Sequence, residues 1–415
     1  MRKKNFWLVV ALVNFSVVAF LGFVLRSKIL FPLKFINHEH FINAHSHLAF
    51  GGWLTLSFLT LFVHLLLDER FKNKPIYQWL FGILQVAVMG MAVSLAIQGY
   101  KVTGIIFSTS FIFTTYVFSW HFLKDLYAGE RKDPWFILAV FAIIYLVISS
   151  AGPFTLAYVL ASKSTNAILY RDALYYYLHF QYNGFFTLSV FTIFFVTYYK
   201  WAAVSVDKNA KRFAYFLVAS VIPSFFLSLL WHPHDELFKW LAGLGILLIL
   251  AMLYYFFILG KQLTIAKLFT NKLGRALWIM VLVSFVVKSF LQMGTIYPPL
   301  GHAVFGLRPI IIGFLHLIFL GLATFFLLAY FLETGIFSRQ YRFAKVGIGV
   351  FAGGVIVQET ILLVQGIGLL LRNANPVYNW YLWIAAIFLF LGAMLIAIAG
   401  VRSYLLDRSA LKVPA

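Results

Sequence analysis

Long apolar runs alternate with short polar segments along the whole chain. Twelve runs are close to the ~20 residues that a helix needs to cross a hydrocarbon layer of ~30 Å. Strands of soluble sheets are much shorter than this. The pattern therefore predicts an all-α, polytopic membrane protein in which residues 1–415 form a single transmembrane domain. The predicted spans are approximately 6–25, 45–67, 76–98, 103–123, 135–160, 178–199, 213–231, 238–260, 276–294, 308–332, 346–371 and 378–401.

Composition supports this fold class and removes several kinds of chemistry. The chain is 62% hydrophobic and 11% charged, whereas soluble domains carry about 25% charged residues. This deficit excludes an ordinary water-soluble enzyme. Cysteine is absent, which excludes disulfides, iron–sulfur clusters and thiolate nucleophiles. A bound metal would need histidine, carboxylate or another non-cysteine ligand.

The positive charge follows the pattern of the apolar runs. The net charge is +20, which in a soluble protein would suggest a nucleic-acid partner. Here 23 of the 33 lysines and arginines fall in alternate connecting segments, beginning with the N-terminal one. Cytoplasmic loops of membrane proteins carry this excess. The bias predicts cytoplasmic termini in a plasma (inner) membrane, with lipid as a partner and no nucleic acid.

Histidines supply the candidate chemistry. Nine of the eleven fall on the predicted outer side, although they come from distant segments. A rise of ~1.5 Å per residue places His47, His179 and His232 at one level near the outer boundary. Histidine within membrane spans marks a functional-site hypothesis. Two interpretations remain open: interfacial rings bonded to backbone or water, or imidazoles that bind a metal or haem. Clustering favours the second.

The local sequence around three histidines refines this hypothesis. His45 and His47 are two positions apart, about 200° around a helix, so their rings should face different neighbours. One helix could then serve two centres. His316 is alone in an apolar helix and needs a partner, which haem iron would supply.

A second group of histidines lies around the end of the seventh predicted span. Pro233 disfavours helix at His232, so the rings of His232 and His234 could turn to one ion. With His179 they form a candidate site for copper, iron or zinc.

Three charged residues could support such a site. Lys288 lies inside the ninth predicted span and Arg308 opens the tenth, so both are predicted to pair with anionic haem propionates. Arg308 could instead be a snorkelling interface residue. Glu359, in the middle of the eleventh span, is a candidate proton relay or a neutral, hydrogen-bonded carboxyl.

At these histidines the sequence resembles subunit I of the haem–copper oxidase superfamily, which includes cytochrome oxidases and nitric oxide reductases. Similar strings follow His47 (Leu-Ala-Phe-Gly) and His316 (Leu-Ile-Phe-Leu-Gly). The resemblance implies twelve helices and a low-spin haem b held by His47 and His316. It also implies a second metal bound by His179, His232 and His234.

The chain departs from the family pattern at three places. After the seventh helix the family has two adjacent histidines, whereas Pro233 separates His232 from His234 here. Phe314 stands where the family has the histidine of a high-spin haem, and His45 is the expected substitute. Asn183 stands where the family has a tyrosine, four residues after the histidine of the sixth helix.

The leading hypothesis is a haem-binding, respiratory-type membrane protein. It would transfer electrons from a respiratory donor to oxygen or nitric oxide, or would sense one of these gases. Both an oxidoreductase (a terminal oxidase or nitric oxide reductase) and a non-catalytic haem or metal carrier are compatible with the sequence. The alternative is a twelve-helix transporter. Transporters commonly show half-to-half repeats, and we see no strong repeat of this kind.

Overall fold

The structure is a computed structural model that describes residues 2–129, 134–202, 207–232, 236–264 and 268–410. Within these residues twelve helices are long and apolar enough to cross a membrane, and no β-strand occurs. The predicted all-α, twelve-span fold is thus confirmed, while the orientation of the termini stays a prediction. Helices α1 to α12 are Lys3–Leu30, His38–Leu66, Pro75–Gln98, Val102–Tyr127, Trp135–Ala161, Ala167–Trp201, Lys208–Leu229, Glu236–Gln262, Lys272–Gly294, Arg308–Glu333, Tyr341–Leu370 and Val377–Ser409.

Several helices begin well before their apolar runs. Helix α2 starts at His38 and α6 at Ala167, each several residues earlier than predicted. The Asn37 side chain accepts a hydrogen bond of 3.1 Å from the amide of His40, and Asn166 caps α6 in the same way. Such caps satisfy amides that have no partner inside the helix. A polar, capped first turn is invisible to an analysis of apolar runs.

The connecting segments also contain helix. A four-residue helix, Glu69–Lys72, lies between α2 and α3, and Pro298–Gly306 forms a longer one before α10. Proline at the start of a helix is favourable because its missing amide would have no partner there.

The described helices group into two compact units. One comprises Met1–Phe118, Phe269–Val281 and Leu315–Ala415, and the other comprises Ser119–Leu268 and Leu282–Phe314. In the first unit α12 packs against α1 and α11, and in the second α7 packs against α8. The prediction of a single transmembrane domain stays a prediction.

Helices α2, α6 and α10 each contain a π-helical segment, at Leu48–Thr55, Phe180–Phe186 and Leu317–Thr324. Packing differs on the two sides of these segments. In α10 no residue of Arg308–His316 is buried, whereas every residue of Phe325–Leu332 is. Because π-helical turns in α-helices are frequent at functional sites, the loosely packed ends of these helices are candidate positions for a site.

Candidate functional site

Each π-helical segment follows directly after a histidine, and the three segments share a sequence pattern. An aromatic residue stands three positions after the histidine, glycine five positions after it and threonine eight positions after it. This H-x2-[FY]-x-G-x2-T pattern recurs at every fourth helix. The first and third copies are the similar strings noted in the sequence, and a search for internal repeats would also find the second. Its members are His47, Phe50, Gly52, Thr55; His179, Tyr182, Gly184, Thr187; and His316, Phe319, Gly321, Thr324.

Local contacts explain some of the positions that the three copies of this pattern share. A Cβ atom at Gly184 would lie 2.5 Å from the Cβ of Tyr145, so a neighbouring helix requires glycine there. The Thr187 hydroxyl donates to the carbonyl five residues earlier. Asn14 Nδ2 donates to the Gly52 carbonyl at 2.8 Å. These donors satisfy backbone carbonyls in surroundings where water is scarce.

The first and third copies contact each other inside one unit. The rings of Phe50 and Phe319 have centroids 4.5 Å apart. Trp53 Nε1 donates to Thr324 Oγ1 at 2.9 Å, further along the same two helices. Both phenylalanines follow their histidines by three residues. The contact therefore brings the two histidine-bearing turns of α2 and α10 to the same level.

His45 is held by helix α1. Its Nδ1 donates to the Val18 carbonyl at 3.0 Å. Since a carbonyl can only accept, Nδ1 carries the proton and Nε2 of the neutral ring carries a lone pair. No partner for Nε2 occurs among the described residues. Metal-bound histidines typically donate their other ring N–H to such an acceptor. His45 therefore has the arrangement that binding a metal through Nε2 would need.

His316 faces α11 in the same unit. Gln358 Nε2 donates to His316 Nδ1 at 2.9 Å, and Glu359 Oε1 lies 3.9 Å from that nitrogen. Arg26 and His45 are close enough to interact electrostatically with this ring. The His316 side chain is 26% exposed, and its Nε2 has no partner within the described part of the chain.

Iron bound at His316 Nε2 would require a small adjustment. The ring proton would then lie on Nδ1 and need an acceptor. A 180° rotation of the Gln358 amide would present its oxygen to Nδ1, and oxygen and nitrogen occupy equivalent positions in such an amide. The rotation would also give up the 3.4 Å hydrogen bond that Gln358 Nε2 donates to Glu359 Oε1. The residues around His316 therefore fit an iron ligand.

His47 has different neighbours. Its Nε2 lies 2.5 Å from the Tyr100 hydroxyl, whereas His45 faces α1, as the two-residue spacing predicts. His47 would have to release Tyr100 to bind metal through Nε2. His45 is the α2 histidine that interacts electrostatically with His316. The predicted pair of His47 and His316 stays a prediction, and the geometry favours His45.

Arg26 is a site residue that the apolar pattern did not reveal. The predicted first span ends at 25, but α1 continues to Leu30, so Arg26 lies within the helix. It interacts electrostatically with Glu359 as well as with His45 and His316. An arginine directly after an apolar run is the signal that could have identified it.

The two residues predicted to bind propionates lie in different surroundings. Arg308 opens α10 and is exposed. Lys288 is only 4% exposed and lines a small cavity in the second unit. Their pairing with propionates stays a prediction.

His179, predicted as a ligand of the second metal, is fully buried. Its Nε2 donates to the Val221 carbonyl at 2.8 Å, and its Nδ1 accepts from Asn183 Nδ2 at 3.1 Å. Both ring nitrogens are therefore engaged. His179 would have to give up one of these hydrogen bonds to bind a metal.

The other two predicted metal ligands lie near the end of α7. His232 Nε2 is 3.0 Å from both carboxylate oxygens of Asp172, and its ring lies 4.2 Å from that of Trp231. His234 lies outside the described residues. Among those that are described, no three His, Asp or Glu side chains form a group suited to a metal. The second metal site stays a prediction.

No protein-family profile matches this chain, and no curated protein matches it significantly.

Proposed function

We propose that this chain is a respiratory-type membrane haem protein in which His45 of α2 and His316 of α10 would hold a b-type haem. One observation carries the proposal. Each imidazole is held at Nδ1 by a neighbouring helix, and each leaves Nε2 without a partner among the described residues. Imidazole is a common ligand of haem iron. Without cysteine the haem would be held non-covalently.

The surroundings of the two rings suit a flat, largely apolar group. Leu315 and Leu317, which flank His316 in the same unit, are apolar and only partly buried, so their side chains could pack against a porphyrin. The Phe50–Phe319 contact would form the base of the pocket. A bound haem supplies one-electron chemistry, while the protein supplies ligands, orientation and electrostatics.

The charged residues around the rings have roles in this proposal. Arg26 would balance negative charge on the haem. Glu359 Oε1, at 3.9 Å from His316 Nδ1, would hold a proton when the charge of the site changes. This is the proton-relay role predicted for Glu359, which stays a prediction.

A haem with two histidine ligands transfers electrons without binding a gas. Reduction of oxygen or nitric oxide would therefore need a redox-active second metal, copper or iron, at the site predicted at His179, His232 and His234. Zinc, the third metal predicted there, has no redox chemistry and would leave the protein without this activity. Without that metal, the protein would be an electron carrier or sensor that accepts electrons from a respiratory donor.

The repeat disfavours the transporter alternative. Many transporters consist of two related halves. In this chain the shared pattern occurs in α2, α6 and α10, four helices apart, whereas two related halves of six helices would repeat it six helices apart.

An absorption spectrum of the purified protein tests the proposal. We expect a low-spin b-type spectrum that is lost in His45→Ala and His316→Ala but retained in His47→Ala. Loss in His47→Ala with retention in His45→Ala would restore the originally predicted pair. A colourless, well-folded protein from haem-replete cells would refute the haem proposal.

A further inference from the structure

Helix α9 places two polar side chains at a small, partly open cavity of the second unit. Lys288 and Gln292, one helical turn apart, are 4% and 5% exposed. The cavity has room for a particle about the size of one water molecule. Its polar lining consists of Asn183, Ser220, Ser224, Lys288, Ser289 and Gln292.

The Lys288 amine has no anionic partner in the described part of the chain. No aspartate or glutamate lines the cavity, and the ion pairs found among those residues do not include Lys288. An isolated ammonium is costly in a medium of low polarity. A charged Lys288 therefore needs an anion that the described part of the chain does not supply.

The serines can solvate the ammonium but cannot neutralise it. The hydroxyls of Ser220, Ser224 and Ser289 donate to carbonyls of their own helices at 2.9, 3.2 and 2.8 Å. Their oxygens are left as acceptors for the N–H groups of Lys288. The amide nitrogen of Gln292 has no hydrogen-bond partner among the described residues, so a second donor also lacks an acceptor.

His179, close to this cavity, adds no competing charge. Its Nε2 donates to a carbonyl and its Nδ1 accepts from Asn183. One ring nitrogen therefore carries a proton and the other does not, which makes the imidazole neutral. A protonated Lys288 is therefore the single positive charge among the described residues that line the cavity.

We infer that Lys288 and Gln292 bind one small monovalent anion, of the size of a halide, in this cavity. One negative charge matches one ammonium, and the Gln292 amide supplies a further donor. The space is too small for phosphate or an organic acid. The site does not require haem, so it stands or fails separately from the proposed haem function.

Thermal unfolding in detergent at constant ionic strength tests this inference. Replacing gluconate by chloride or bromide should raise the melting temperature of the wild type by about 2–4 °C near saturation, because the ion binds the folded state. Lys288→Met should abolish the rise. Lys101→Met, which removes an exposed lysine, should keep it.

Gln292→Leu retains the ammonium and guards against misfolding of Lys288→Met. It should raise the halide concentration that gives half of the effect by about fivefold, since one charge-assisted hydrogen bond is lost. Equal melting temperatures in chloride and gluconate for the wild type would overturn the inference. So would a halide effect that persists in Lys288→Met. Haem loss from Lys288→Met, without any halide effect in the wild type, would assign Lys288 to a propionate instead.

Discussion

His316 and His179 hold the same place in the repeat and have opposite surroundings. Each directly precedes a π-helical segment. His316 is 26% exposed and has one ring nitrogen bonded, whereas His179 is fully buried with both nitrogens bonded. The repeat therefore determines the backbone around the histidine. Side chains from neighbouring helices determine whether the imidazole can accept a ligand.

The aromatic neighbours reinforce this difference. The rings of Phe180 and Phe225 lie 5.4 Å from that of His179, and a third aromatic ring, Tyr182, lies at 5.8 Å. The residues of α10 that precede His316 are not buried. The second copy of the repeat thus lies in a packed core, whereas the third lies at a candidate cofactor site.

The largest expected difference between the two copies is in haem binding. His316→Ala should lower haem affinity ~100-fold or more, because even a residue that only orients a metal ligand contributes ~10–100-fold. His179→Ala should keep its haem. The measurement is the haem content per folded protein. Equal haem loss in both variants would contradict the distinction between His316, which has one ring nitrogen without a partner among the described residues, and His179, which has both nitrogens hydrogen-bonded.

The glycine of the second copy, Gly184, provides the next test. Gly184→Ala should destabilise the protein by about 1–3 kcal/mol, because the new Cβ would overlap Tyr145. Gly243→Ala is the matched control, since nothing lies within 4 Å of a Cβ there. Unfolding in detergent measures both. A Gly184→Ala variant as stable as the wild type would show that α6 does not pack closely at this point.

The hydrogen bonds of His179 should contribute to folding. His179→Ala leaves the Val221 carbonyl and the Asn183 amide without a partner, which costs about 1–3 kcal/mol. Combining it with Asn183→Leu should cost less than the sum of the two single changes. Additive losses measured in a double-mutant cycle would mean that the two side chains do not interact.

The smallest expected effect concerns the residue that orients His316. If His316 binds haem as proposed, Gln358→Leu should weaken haem binding by about tenfold and leave the fold intact, since it removes a hydrogen bond to the proposed ligand. Gln365→Leu, on the same helix, should leave haem binding unchanged. Haem titration of the two variants provides the comparison. Identical affinities would exclude Gln358 from the site.

The twelve spans could be predicted because burial in a membrane requires an apolar run of fixed length. The starts of α2 and α6 could not, because Asn37 and Asn166 extend them with polar residues. Arg26 could not be predicted for a similar reason. The apolar run ends just before it, but helix α1 continues to Leu30.

The histidines themselves could be identified from sequence, but their partners could not. Whether His45 or His47 faces α10 depends on the rotation of α2. The bonds that occupy His179 come from Asn183, one turn along its own helix, and from Val221 on another helix. Hydropathy and spacing contain no information on contacts of this kind.

The π-helical segment in α2 has a further consequence for its histidines. The direction in which they point depends on the number of residues in the segment, and not only on which residues are present. Such a segment corresponds to one additional residue in an α-helix, and one residue turns a helix by ~100°. A single-residue deletion within Leu48–Thr55 would leave every histidine present. It would nevertheless rotate His45 and His47 by about a quarter turn relative to the buried part of α2. In evolutionary terms, the site is sensitive to the length of the chain as well as to its composition, so a one-codon deletion could abolish it without any substitution.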